Sequence, residues 1–262
     1  MVAAKTGLPL LDGDGMGRAF PELQMVSFTL HDVQASPLAL ADEKGNTSLF
    51  TTISSGWTER LARAVTIQMG GAALLASYPM TGKQARKALL RGTLSLIKEI
   101  GETILESRSR SVHPGRELRK KLNGTHLFTG RVVDIERVTT GGFARGRMQL
   151  RGIEGFHGTD LNVHFQNEFL VAETTDGDVL CSTPDLICTL DADVGLPVTT
   201  EQMRYGLTVE LTGLPADAQW RTPEGLAIVG PAYFGYDHPF VPLQGESPAS
   251  SRRKLQPKAP FS

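Results

Sequence analysis

The chain has 262 residues, 40% of them hydrophobic and 21% charged, with 27 basic against 28 acidic residues. That composition is globular and excludes the low-hydrophobicity, high-charge regime of disordered chains. Near-neutral charge excludes a general electrostatic pull toward nucleic acid or an anionic membrane, and two cysteines, Cys181 and Cys188, exclude a disulfide framework, a zinc ribbon or a CxxC redox pair.

In chain order, Gly7–Leu11 reads as a short apolar strand, and a glycine-rich loop, Asp12–Arg18, follows at once. A strand so close to the first residue needs partners, so part of its sheet is expected to be missing or supplied by another chain. Pro21 suits a first helical turn, and Phe20, Leu23, Val26 and Leu30 recur at helical spacing. Pro37–Ala41 and Ser48–Ile53 read as paired strands around the polar turn 42–46. Trp57, Leu61, Ala64 and Val65 predict a helix ending at Gly70-Gly71, and Ala72–Ser77 predicts a buried strand. Thr81 is the expected N-cap of another helix. From Thr93 to Ser107, Leu94, Ile97, Ile100, Ile104 and Leu105 oppose Lys98, Glu99, Glu102 and Glu106, which predicts an amphipathic helix. The basic stretch 108–121 lacks interleaved aromatics and reads as a solvated helix surface and linker rather than a nucleic-acid site.

Near His126 the texture changes to seven β-rich runs: 127–136, 144–151, 161–166, 169–174, 179–182, 186–190 and 207–211. Glycines and the turn Asp176-Gly177-Asp178 punctuate them. The predicted organisation is α/β over 1–123 and a compact antiparallel β-barrel-like unit over 124–219. A segment over 220–242 then returns the chain to the first unit, and a disordered tail is expected over 243–262. No apolar run approaches the ~18–20 residues that span a bilayer, and the first residues lack a signal peptide's order, so a cytoplasmic protein is expected.

Three polar clusters invite chemistry. In the loop, Asp12 and Asp14 can hold a metal, act as a general base, receive a ligand N–H or cap a helix, Gly15 permits close approach, and Arg18 can orient a carbonyl or carboxylate. Gln166-Asn167-Glu168 interrupts two apolar runs. Buried unpaired polar groups are costly, so this triplet is either an edge, an internal hydrogen-bond network or a cluster aimed at a ligand. Arg221 and Glu224 either pair with each other or face a site, and Thr222-Pro223 resembles a helix start. The six histidines form no metal-ligand motif, although His157 and His164 can meet across a hairpin, and the two cysteines read as buried small hydrophobes.

Four segments together resemble one family. They are Asp12-Gly13-Asp14-Gly15-Met16-Gly17-Arg18-Ala19-Phe20-Pro21-Glu22-Leu23, Gly141-Gly142-Phe143-Ala144-Arg145-Gly146, Phe165-Gln166-Asn167-Glu168-Phe169-Leu170 and Trp220-Arg221-Thr222-Pro223-Glu224-Gly225. With 39–46 and 78–82 they resemble the S-methyl-thiohydantoin desulfurase domain family, across about residues 7–242. The resemblance implies a partial three-layer α/β domain followed by a β-barrel domain, and a chain matching the C-terminal two-thirds of a typical member. It implies hydrolase-type release of methanethiol from a five-membered cyclic imide or thiohydantoin. Asp14 or Glu168 would then activate water, and Asp12, Gly15, Arg18, Gln166, Asn167, Arg221 and Glu224 would bind the ring. A hydantoinase- or oxoprolinase-type subunit, or a second copy of the chain, is the implied partner. Neither nucleic acid nor membrane is expected as a partner, no metal ligand is expected, and no cofactor is named. The alternative is a non-catalytic accessory module.

Overall fold

The structure is a computed structural model that describes residues 2–243. The tail expected over 243–262 therefore lies, beyond Leu243, outside the described residues.

The chain opens with a short exposed helix, α1 (Val2–Thr6). Residues 7–11 form no strand; Leu8, Leu10 and Leu11 are exposed, with no neighbouring strand to pair. The first strand is instead β1 (Gly13–Asp14), inside the glycine loop itself. The helix expected from Pro21 shrinks to α2 (Ser27–Leu30), because residues 20–25 are held in turns by contacts to distant segments. Then follow β2 (Leu38–Ala41), β3 (Thr47–Phe50), α3 (Ser55–Gln68) and β4 (Leu74–Ala76). Strands β3-β2-β4 make a small antiparallel sheet. The Asp42 carboxylate closes its turn by accepting from the Lys44 and Asn46 amides. Strand β4 is exposed along its length, contrary to the buried strand expected there, because only β2 covers it.

Helix α4 (Gly82–Ala88) starts at a capping box of Thr81 and Gln84. Strand β5 (Leu90–Arg91) pairs with β1. Helix α5 (Thr93–Ser109) follows, then α6 (Pro114–Leu122). The amphipathic reading of α5 holds for its conformation but not for its burial. Thr93, Thr103 and Ser107 are its buried residues, while Ile97 and Leu105 are 61% and 67% exposed. The basic stretch is partly spent on α6, where Arg119 pairs with Glu210 and Lys120 with Glu117.

All seven predicted β runs are strands: β6 (Thr125–Thr140), β7 (Phe143–Gly152), β8 (Asp160–Gln166), β9 (Glu168–Thr174), β10 (Val179–Ser182), β11 (Leu186–Asp191) and β12 (Thr208–Leu214). They form one antiparallel sheet in the order β10-β9-β8-β7-β6-β12-β11, curled into a half-barrel. Phe128, Val132, Met148, Leu150, Leu161, Val163, Val209 and Leu211 fill its concave face and are fully buried. Their alternation along each strand is the period-2 pattern of a sheet with one dry face. In β9 the run Phe169–Ala172 is buried throughout, since both of its faces are covered. The curl brings β11 back into contact with β9, leaving a seam between two strands that do not pair.

The chain then crosses to the first half. Helix α7 (Pro223–Val229) starts at Thr222, whose hydroxyl accepts from the Gly225 amide. Trp220 and Val229 pack with Phe20, Met25 and Leu90 in a second core. No helix among the described residues is long and apolar enough to cross a membrane.

Candidate functional site

The glycine loop is stitched into the protein mostly by its own carboxylates. Helix α5 begins at Gly92, which has no side chain to cap it. Asp12, eighty residues earlier, supplies that cap: Oδ1 accepts from the Leu94 and Ser95 amides, and Oδ2 from the Ser95 hydroxyl at 2.6 Å. Those bonds hold the Asp12 carboxyl below the usual range, the Ser95 hydroxyl contributing most. Asp14 Oδ1 accepts from the Met16 and Gly17 amides, both at 2.7 Å, and so closes the loop on itself. Gly15 is required by a close approach to the protein's own atoms: a Cβ there would meet the Phe28 ring at 2.8 Å.

Arg18 reaches further. Its guanidinium donates to the carbonyls of Phe169, Pro184 and Asp185 at 2.7–3.1 Å. It thus ties the start of β9 to the turn that enters β11, across the seam. Burial pulls its proton affinity down, and the nearby Glu168 carboxylate pulls it back up.

The other motifs meet the loop. Trp220, fully buried, donates through Nε1 to the Met16 carbonyl at 2.9 Å and stands edge-on to Phe20. Arg63 of α3 pairs with Glu59 and donates to the carbonyls of Pro21 and Gly142, with its guanidinium 3.8 Å from the Phe143 ring. The tip of the β6–β7 hairpin is thereby held against the first half. Arg221 does not pair with Glu224, as the sequence allowed. It pairs at 2.7 Å with Asp185, which is fully buried and also accepts from the Ala216 and Leu243 amides. Glu224 lies exposed in the first turn of α7. Asp185 was missed in the sequence because its partners are 31 to 58 residues away. The one local signal was an acidic residue standing between two apolar strands.

Gln166-Asn167-Glu168 forms the tip of the β8–β9 hairpin. Asn167 takes the left-handed conformation (φ 57°) and is locked there. Its N–H donates to the Ala144 carbonyl, its Oδ1 accepts from the Ala144 amide, and its own carbonyl accepts from Thr200. The triplet divides between two cavities. Asn167 and Glu168 face one of about 320 Å³ at the β9–β11 seam. Its walls are largely apolar: Ile100 and Ile104 of α5, Leu118 and Leu122 of α6, and Ile187 and Leu190 of β11. Thr189 also lines it, buried, with a hydroxyl that has no partner among the described residues. Gln166 lines a second cavity of about 310 Å³ on the other side, with Glu22, Arg145, Tyr233 and Tyr236. Asp12 and Asp14 line neither cavity.

Glu168 is the chemically distinctive group. It is half-buried and accepts no hydrogen bond from a described residue. Burial raises its carboxyl above the usual range; Arg18 opposes the shift and Glu201 adds to it. Cys188 shares the cavity, but burial pushes its thiol up to about 11, which leaves it protonated at neutral pH and weakly nucleophilic. Cys181 is buried and shifted upward further. His164 pairs with Glu173 at 2.9 Å. Among the described residues no group of three or more His, Cys, Asp or Glu could hold a metal ion.

A curled antiparallel half-barrel, with helices over its open seam and a half-buried carboxyl facing the enclosed space, defines a mixed helix-and-strand protein with a small-molecule-sized cavity. Family models for the N-terminal and C-terminal domains of S-Me-THD-like proteins match residues 1–52 and 53–243. The chain belongs to the S-Me-THD-like family. It is also similar to a crystal structure of a protein from Chromobacterium violaceum, with a TM-score of 0.71 and 26% identity over 93% of this chain and 69% of that one. No curated protein matches it.

Proposed function

We propose that the seam cavity is a hydrolytic site for an S-methylated thiohydantoin or a related five-membered cyclic imide, with Glu168 as the general base. The observation that carries this reading is the Glu168 carboxyl itself: half-buried, facing a largely apolar cavity, free of donors among the described residues and raised in pKa by burial. A carboxylate stripped of donors is a stronger base than a solvated one. In the reaction, Glu168 takes a proton from water as the water oxygen bonds the ring carbon that carries sulfur. The C–S bond then breaks, the departing methanethiolate recovers that proton from Glu168, and the second water proton passes from the new oxygen to the ring nitrogen, which leaves a ring carbonyl beside an N–H. Asn167 has an amide nitrogen that donates to no described residue, and so can stabilise charge that develops on the ring. Arg18 acts chiefly through its charge, since four of its five N–H groups are spent on carbonyls.

Asp14 fits the role of base less well, because its carboxylate already closes the glycine loop. Asp12, Gly15 and Arg221 support the surrounding structure on this reading, and Glu224 lies exposed, lining neither cavity. The test is methanethiol release from S-methyl thiohydantoin by the purified chain. Glu168→Gln should lower the rate by about 10²- to 10⁴-fold with the fold retained. An undiminished rate in that variant removes Glu168 from the chemistry.

A second reading, an accessory module for a hydantoinase-type subunit or a second copy of the chain, is favoured by one observation. Leu49, Ile53, Leu74 and Leu75, in and beside the small sheet, are 53–89% exposed. Light scattering on the purified chain tests self-association, and a chain that releases no methanethiol leaves the accessory reading standing.

A further inference from the structure

The second cavity, on the opposite side of the Gln166–Glu168 hairpin tip, holds two opposite charges and a buried amide that the proposed reaction does not use. Gln166 is 8% exposed, yet its carboxamide bonds to no described residue. The residue is buried while its carboxamide opens onto the cavity, where a ligand's polar group would complete its bonding. Arg145 lines the same space and has no carboxylate partner among the described residues; its guanidinium lies 5.4 Å from the Phe143 ring. Glu22 accepts from the Tyr233 hydroxyl and from Gln24 through Oε2 alone, leaving Oε1 open. Arg145 and Glu22 do not pair with each other. Tyr236 completes the wall. Burial and the nearby Glu173 push its phenol up to about 12, so it remains a donor at neutral pH. Three of the segments that carry the family resemblance supply this cavity, through Glu22, through Arg145 and Gly146, and through Phe165, Gln166 and Leu170.

We infer that this cavity is a binding site for a free α-amino acid in its zwitterionic form. Arg145 takes the carboxylate, Glu22 the ammonium group, and Gln166 a polar group of the ligand. A ligand with one charge would satisfy only one of the two unpaired ions, whereas a zwitterion satisfies both. The volume of about 310 Å³ accommodates an amino acid with its side chain.

The test is titration calorimetry of the full chain with each of the twenty standard amino acids. For the tightest, its carboxamide and its N-acetyl derivative follow. The proposal expects at least one saturable ligand, with affinity falling about tenfold or more when either terminus is blocked. Arg145→Gln and Gln166→Leu should weaken binding by a similar factor. Arg145 is exposed, so its variant carries the test should Gln166→Leu fold poorly. Glu168→Gln should bind normally, which separates this site from the proposed hydrolytic one. Three results each overturn the proposal: no saturable amino acid, binding indifferent to Arg145→Gln, or binding lost only in Glu168→Gln.

Discussion

The two halves of the molecule solve the same problem differently. The half-barrel builds one dry core from strands that alternate, pair in sequence and turn at glycines. The first half has a three-stranded sheet with an exposed outer strand, six helices among its described residues and three small apolar clusters. It is held by single long-range contacts: Asp12 on α5, Arg63 on Pro21 and Gly142, and Trp220 on Met16. Packing distributes stability over many atoms, whereas such stitches concentrate it in a few polar groups. The seam cavity lies where the halves meet: α5 and α6 from the first half line it with β9 and β11 from the second, and Arg18 ties β9 to the turn that enters β11.

The largest contrast is expected from core truncation. Phe128→Ala removes a fully buried ring from the half-barrel and should cost about 3–5 kcal/mol. Leu75→Ala on the exposed β4 should stay within about 0.5 kcal/mol. Urea unfolding of both variants measures the difference, and equal losses would erase the distinction between the halves.

Asp185→Ala comes next. It leaves Arg221 without its carboxylate and the Ala216 and Leu243 amides without an acceptor. A broken buried pair costs about 3–5 kcal/mol, and the partial exposure of Arg221 places this one at the low end. A loss below about 1 kcal/mol would show that the joint between the halves is not held by this ion pair.

A smaller effect is expected at the hairpin tip. Asn167→Ala places a β-carbon in the left-handed region and loses the bond to the Ala144 amide, so it should destabilise more than Asn167→Gly, which keeps the conformation. Melting temperatures should rank wild type, Asn167→Gly, Asn167→Ala from highest to lowest. The reverse order of the two variants would mean the backbone conformation is unimportant there.

The smallest effect concerns ionisation. Because folding raises the Glu168 pKa, its contribution to stability is complete below the ordinary glutamate value of 4.5 and is lost as pH rises through the raised value. Glu168→Gln removes that loss. The variant should therefore melt with wild type in acid and above it near neutrality. The same titration predicts that methanethiol release rises with pH over that window. A variant less stable than wild type at neutral pH would mean Glu168 is paired rather than stranded.

Legibility in the sequence followed the same division. All seven half-barrel strands could be read, because alternation and glycine turns are local signals and one dry face enforces them. The N-cap at Thr81 and the helix ending at Gly70-Gly71 were legible for the same reason, though the reciprocal bond from Gln84 was not read. Gly7–Leu11 and Ala72–Ser77 misled because apolar composition marks what a segment could bury, while burial depends on a neighbour. The glycine loop was legible as special but not in what it does. Its carboxylates serve Ser95, Met16 and Gly17, and Arg18 serves carbonyls some 150–167 residues away. Gln166-Asn167-Glu168 was singled out correctly as polar residues between strands. The division of its side chains between two cavities depends on the left-handed turn at Asn167, which composition does not reveal.

The most direct test is a crystal structure of the chain soaked with hydantoin, the ring left after methanethiol departs. The ring should occupy the space between β9 and β11, within hydrogen-bond reach of both Glu168 and the Asn167 amide. A ring seated against the Asp14 loop or in the Gln166 cavity, with the seam empty at saturating ligand, would contradict the assignment.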